Sequence, residues 1–327
     1  MFRKLTFVLL AFGLMLTSCA PAATAVPTEM PIATEPVAEV STEAPADTAI
    51  ILTDGLQREV RLEAPAQRVV SLAPSLTEVL FAVGAGDQVV GRDEYSDFPE
   101  EALNVESIGS TYQTLNTEAI LALEPDLVVA AGINSPEQIK VLEDLGVAVY
   151  FFENPTDFEG MYQHLAIMGE LTGHTAEAQE LTASLQARVN VVAQQVATLT
   201  EKPTVFYEID GTDPAKPWTS GPGTFMDTMI SMAGGINIGG VLSDSFAQIS
   251  LEEIVLQDPA FIILGDTAFG VTIESIAQRP GWSDLTAVKN NAIFGFEDSL
   301  ASRPGPRLVD GLEALIAILH PELVPAP

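Results

Sequence analysis

Residues 115–129 recur in altered form as residues 249–263, at a constant offset of 134. In each copy a small polar residue, Asn116 or Ser250, stands two positions before a glutamate, Glu118 or Glu252. An acidic residue and a proline follow, Glu124-Pro125 or Asp258-Pro259, and then an apolar run. This pattern reads as a capped helix, a stop and a buried strand. Convergence on a common helix–turn–strand unit produces the same pattern. A true duplication predicts two similar lobes with a ligand cleft where they face each other.

The rest of the chain fits that frame. Asp54-Gly55, between residues 50–52 and the Val60/Leu62 alternation, is a hairpin signal. A β/α alternation then begins. Residues 68–72 read as a strand, and Ser75-Leu76-Thr77-Glu78 as a capping box opening a helix that stops at Gly84. Strands at 89–91, 127–130 and 147–152 alternate with helices capped at Asn116 and by Ser135-Pro136-Glu137-Gln138. Continuous apolar strands between helices predict a mainly parallel sheet covered on both faces. After a helix ending near Thr172, apolar residues recur at Leu181, Leu185, Val189, Val192, Val196 and Leu199, one face of a helix. Residues 176–200 would form about 37 Å of helix, enough to reach from one lobe to the other. An ordinary covering helix of one lobe is the alternative. Pro203 then opens a second β/α series. The expected fold class is α/β: two similar α/β lobes with mainly parallel sheets, at 50–154 and 203–327, joined by a long rigid α-helix within 155–202.

The N-terminal segment reads as an export signal. Arg3 and Lys4 precede an apolar run at 5–16 that is too short to span a bilayer. The run ends in Leu16-Thr17-Ser18-Cys19, which resembles a bacterial lipobox. Residues 1–19 are thus expected to be a lipoprotein signal peptide, with Cys19 the lipidated residue and membrane anchor of an extracytoplasmic protein. Cys19 is the only cysteine, so an intrachain disulfide is excluded. Residues 20–49, rich in Pro, Ala, Thr and Glu, read as a disordered tether. The formal net charge of −31 argues against nucleic acid, whose phosphates need clustered Lys and Arg. It suits a partner with a basic face.

Several motifs in order carry a family likeness. Residues 68–78 (RVVSLAPSLTE), Tyr95-Ser96-Asp97-Phe98-Pro99, Thr219-Ser220-Gly221, Ala233-Gly234-Gly235-Ile236-Asn237, Pro280-Gly281-Trp282 and Arg303-Pro304-Gly305-Pro306-Arg307 resemble the helical-backbone metal-chelate receptors. These are the binding proteins for vitamin B12, haem and ferric siderophores, and the corrinoid receptors are the nearest branch. The resemblance spans about residues 53–321. It implies a class III periplasmic-binding-protein-like fold, a metal chelate held between the lobes, no catalysis and no bound cofactor. The implied partner is an ABC-transporter permease dimer with its ATPase subunits, and the implied state is monomeric. Carried over by motif, Tyr95, Tyr112, Trp218 and Phe246 fall on pocket aromatics, and Asp298 on a polar contact. Broad aromatic faces hold flat, weakly charged ligands at low entropic cost. Ala131 stands where the corrinoid receptors have a tryptophan, so one wall is lost or supplied differently. Glu118 and Glu252 fall on the two glutamates that dock to permease arginines. The repeat places them equivalently without the family, which suits a partner with two-fold symmetry.

Other readings remain open at this stage. Arg303, with Arg92, Arg279 and Arg307, all read as loop residues, is a candidate to bind an anionic ferric siderophore or haem, or else to form salt bridges on an acidic surface. A zinc or manganese receptor needs converging His and carboxylate ligands. His164 and His174 are ten residues apart and off one helical face, and His320 is near the C-terminus, so no metal site is expected. A periplasmic hydrolase lacks a nucleophile elbow or phosphate loop in this sequence.

Overall fold

Alternation along each strand explains where the core lies. The computed structural model describes residues 49–324; the signal segment, Cys19 and nearly all of the tether lie outside them. The first lobe begins with a hairpin, β1 (Ile50–Thr53) and β2 (Glu59–Leu62). Asp54 closes its loop by accepting from the backbone nitrogens of Leu56 and Arg58 at 2.9 and 3.0 Å. Next come β3 (Val69–Ser71), α1 (Pro74–Ala82), β4 (Val89–Arg92), α2 (Thr117–Ala122), β5 (Leu127–Ala131), α3 (Pro136–Asp144) and β6 (Val149–Phe152). The sheet is parallel, ordered β4-β3-β5-β6. Two helices follow, α4 (Phe158–Thr172) and α5 (Thr175–Val196). The second lobe holds β7 (Thr204–Glu208), β8 (Trp218–Ser220), α6 (Phe225–Met232), β9 (Ile236–Asn237), β10 (Phe246–Gln248), α7 (Leu251–Gln257), β11 (Phe261–Leu264), α8 (Ile273–Ile276), α9 (Thr286–Lys289), β12 (Ile293–Gly295), α10 (Ser299–Ser302) and α11 (Leu308–Leu319). Its main sheet is parallel, ordered β12-β11-β7-β9. Counted from the first strand of each sheet, both lobes have the order second-first-third-fourth.

The repeat extends to backbone detail. Asn116 caps α2 by accepting from Ala119 N at 3.1 Å, and Ser250 caps α7 by accepting from Glu253 N at 3.2 Å. Both helices end in a left-handed residue before proline, Glu124 (φ 46°) and Asp258 (φ 41°). Ile120 and Ile254, again 134 apart, are both fully buried.

Each sheet packs on two sides. On β5, Leu127, Val129 and Ala131 join a central cluster, while Val128 and Ala130 join an outer one. On β7, Val205 and Tyr207 face the central cluster and Phe206 an outer one. This is the period of two expected of strands covered on both faces. The central cluster is continuous through both lobes, running across α4, α5, α6 and α11. Phe158 meets Phe225 edge to face at 5.1 Å between the lobes. The helix α5 has 22 residues, about 33 Å. It packs on α4 and also on α6 and α11, which belong to the second lobe. It therefore contacts both lobes, as expected of a bridge, but the lobes share a core and do not hang on the helix alone.

Two expectations are corrected. Ser75-Leu76-Thr77-Glu78 is not a capping box: α1 starts two residues earlier than such a box requires, at Pro74, and its N-cap Ala73 makes no side-chain cap. Glu78 is instead a buried residue inside the helix, 2% exposed. Arg92 is not in a loop but ends β4, and its guanidinium donates to the carbonyls of Asp93 and Glu94.

The His164 side chain in α4 packs against Phe152 with ring centroids 4.9 Å apart. Burial pushes its imidazole down to about 4. A depressed folded value means stability that is complete above the unfolded value of about 6.5 and lost as pH falls toward 4. We expect up to about 2–3 kcal/mol to be lost across that window. Denaturant unfolding of wild type and His164→Gln at pH 7 and pH 4.5 checks it; the variant should show a smaller loss.

Candidate functional site

In both lobes the side chains around the crevice follow the carboxyl ends of the parallel strands. Pro74 and Asp93 follow β3 and β4; Ile133 and Asn154 follow β5 and β6; Ile209, Gly265 and Phe296 to Asp298 follow β7, β11 and β12. Ligands of open parallel sheets bind at this end.

Three cavities result. The first lobe holds one of about 640 Å³, lined by Tyr95, Tyr112, Asp93, Thr111 and Ile133 among others. Asp93 builds its floor: its carboxylate accepts from Tyr95 N, Thr111 N and Thr111 Oγ1 at 2.8–2.9 Å. The Tyr95 and Tyr112 rings stay 59% and 70% exposed, so packing does not use them. Ile133, 44% exposed, stands two residues beyond the buried Ala131 and supplies an apolar wall there.

The second lobe holds a cavity of about 300 Å³ lined by Tyr207, Phe225, Phe246 and Asp298, with Asn154 to Thr156 at its edge. The ribbon β8–β10 forms one side. Its register pairs Trp218 with Gln248 and Ser220 with Phe246, which puts Trp218 and Phe246 diagonally on one face. Both rings are largely exposed, at 42% and 61%. Gly221 is required at the end of the ribbon, because a Cβ there would lie 2.2 Å from the Asp244 carbonyl. Trp218 itself does not line any of the three cavities, and stands beside them on the ribbon.

The third cavity, about 700 Å³, lies between the lobes and is lined by Asp97, Phe98, Phe269, Glu297, Asp298, Arg303 and Arg307 among others. Asp298 lines both this cavity and its neighbour. The Tyr207 hydroxyl donates to Asp298 Oδ1 at 2.6 Å. Burial, then the Asp298 charge, pushes the phenol well above its ordinary range, so Tyr207 remains a donor. Gly265 makes room: a Cβ there would sit 2.3 Å from the Tyr207 hydroxyl. Asp298 is thereby held in one orientation with an acceptor oxygen left over.

Arg303 differs from the picture of a free ligand-binding cation. Its guanidinium donates to Asp97, to Glu78 Oε1 at 3.3 Å and to the Tyr95 carbonyl at 3.3 Å. Arg307 donates to both Glu78 oxygens at 2.9 and 2.6 Å and to Glu297 at 3.2 Å, and lies 3.9 Å over the Phe98 ring. Burial acts to raise the Asp97 carboxyl, but the Arg303 hydrogen bond and charge outweigh it and hold the group below its ordinary value. Glu78 belongs to the first lobe and the two arginines to the second, so this cluster clasps the lobes together. Arg279 is also committed, to Glu208 at 2.5 and 2.8 Å.

The sequence reading missed Glu78, Phe98, Phe269 and Tyr207. The signal for Glu78 was an acidic residue within an otherwise apolar helix face, which must find a counter-charge when buried. Glu118 and Glu252 are exposed in the first turns of α2 and α7, and neither forms an ion pair among the described residues. No group of His, Cys, Asp and Glu among the described residues has the geometry to hold a metal ion. No helix among them is long and apolar enough to cross a membrane.

Comparison with known proteins fits this architecture. The chain is 30% identical over 280 residues to the uncharacterised ABC transporter substrate-binding lipoprotein YvrC of Bacillus subtilis (strain 168), covering 84% of this chain and 86% of that one. The crystal structure of the periplasmic vitamin B12-binding protein BtuF of Vibrio cholerae superposes with a TM-score of 0.67 at 28% identity, over 78% of this chain and 97% of that one. The periplasmic haem-binding protein RhuT of Roseiflexus sp. RS-1 superposes with a TM-score of 0.71 at 26% identity, over 79% and 100%. Residues 69–300 match the model of the periplasmic binding protein family. With that match and two same-order parallel sheets facing a shared crevice, the chain is a member of the periplasmic binding protein family.

Proposed function

We propose that this protein is the substrate-binding component of an ABC importer and that it captures cobalamin or a related corrinoid between its lobes. One observation carries the choice of ligand: the inter-lobe crevice presents exposed aromatic rings, while its two arginines are already paired with carboxylates. Flat macrocycles lie on such rings. The peripheral carboxamides of a corrinoid can donate to Asp298, which the Tyr207 hydroxyl orients. Haem and most ferric siderophores carry negative charge and would face Asp97, Glu297 and Asp298 without an uncommitted cation. They form the second reading, favoured by the haem-binding structural neighbours.

In this reading Tyr95, Tyr112, Trp218, Phe246 and Asp298 contact ligand, and Arg303 acts at the cavity wall. Glu118 and Glu252 meet the permease, Cys19 carries the lipid anchor on the extracytoplasmic side, and the protein works as a monomer without catalysis. The test is an absorbance titration with cyanocobalamin. Tyr95→Ala and Tyr112→Ala should each weaken binding about tenfold, the loss of one stacked aromatic face. Unchanged affinity in both variants would remove the aromatic site from the proposal.

A further inference from the structure

We infer that Glu78, which does not line the crevice, decides which sign of ligand charge the crevice accepts. The inference rests on the binding-protein reading above but not on the corrinoid as cargo. Among the described residues, Arg303 and Arg307 are the only cationic side chains lining the inter-lobe cavity. Behind them Glu78, 1% exposed along its side chain, accepts three hydrogen bonds from the pair. Asp97 takes a further donor from Arg303, and Glu297 one from Arg307. With Asp298 also on the wall, four carboxylates stand against two guanidiniums.

The position of Glu78 matters more than its number. A carboxylate in water is screened and weak; one that is buried between two guanidiniums is not. It fixes the direction of both arginine forks, so three of the five N–H donors of each are spent on protein oxygens and not on a ligand. An anionic chelate must then either break the clasp or approach a net acidic wall. A neutral or cationic chelate meets neither obstacle. Removing the buried charge leaves the same two arginines, in the same cavity, with donors to spare.

Haemin and its dimethyl ester separate the charge effect from shape, because they differ only in two carboxylates. Wild type, Glu78→Gln and Asp97→Asn are titrated with both porphyrins, following the Soret band. Asp97 is surface-exposed, 61% along its side chain, so its variant tests the idea if Glu78→Gln fails to fold. We expect the ratio of haemin to diester affinity to rise about tenfold or more in Glu78→Gln, the effect of removing one buried negative charge several ångströms from the ligand, and to rise by a smaller factor in Asp97→Asn, whose carboxylate is screened by water. The gain should shrink in high salt. An unchanged ratio in the variants, or no haemin binding by either, overturns the inference. Cyanocobalamin titrated alongside reports on the corrinoid reading separately: its failure to bind wild type would end that reading and leave the porphyrin comparison standing.

Discussion

Replacing Glu78 with alanine is expected to lower the unfolding free energy by about 3 kcal/mol, a large share of what a domain possesses. The reason is asymmetry. Intact, the buried carboxylate and two guanidiniums compensate one another, and their net worth is small. Removing the carboxylate strands Arg303 and Arg307, whose side chains are only 21% and 11% exposed, with fewer acceptors than donors. Asp97 and Glu297 still hold part of each fork, which keeps the loss toward the lower end of what a broken buried pair costs. The contrast is Lys140–Asp144, an ion pair of adjacent turns on α3 with both side chains well exposed. Asp144→Ala should change stability by less than about 0.5 kcal/mol. Urea unfolding of the two variants beside wild type measures the difference. Equal, small changes would mean that the clasp contributes nothing to holding the lobes.

Reversing both outward glutamates should abolish transport while sparing ligand capture. Glu118→Arg with Glu252→Arg places two cations at repeat-equivalent, exposed positions on short surface helices. Neither glutamate supports its own lobe through an ion pair, so the fold should tolerate the change. If two basic patches of a two-fold permease receive these glutamates, the double variant turns two attractions into two repulsions. Uptake of radiolabelled ligand by cells carrying only the variant should fall to background, with solution affinity within about twofold of wild type. Normal uptake by this variant would remove the docking role. Each glutamate would then act only on its own helix dipole.

Much of this architecture is legible in the residues, and the failures are physical. Elements whose information is local came through: the Ser135 capping box, the Asn116 cap and the helix stops at Glu124-Pro125 and Asp258-Pro259 all rest on a few adjacent residues. So did the buried strands, because a two-sided sheet writes a continuous apolar run. The repeat predicts two similar lobes, and the two main sheets do share one strand order. What did not come through depends on distant partners. Ser75 and Glu78 have the spacing of a cap, yet Glu78 is claimed by arginines 225 and 229 positions away. The helix is then free to begin at Pro74, where a missing N–H is harmless. Arg303 was visible as a cation near Asp298, but no local pattern tells a free arginine from one whose donors are spent across a domain boundary. The ribbon β8–β10 is equally non-local: Trp218 and Phe246 share a face only because strands of three residues pair across an intervening helix. Tyr95 and Tyr112 were easier, since aromatics in loops flanked by Ser, Gly and Thr have no periodic core face to join.

Competitive titration of the purified protein with cyanocobalamin, cobinamide, haemin and a ferric hydroxamate decides most directly what the crevice holds. Saturable one-to-one binding of the two corrinoids, tighter than either iron chelate, is the expected result. Tighter binding of haemin or of the ferric hydroxamate would contradict it.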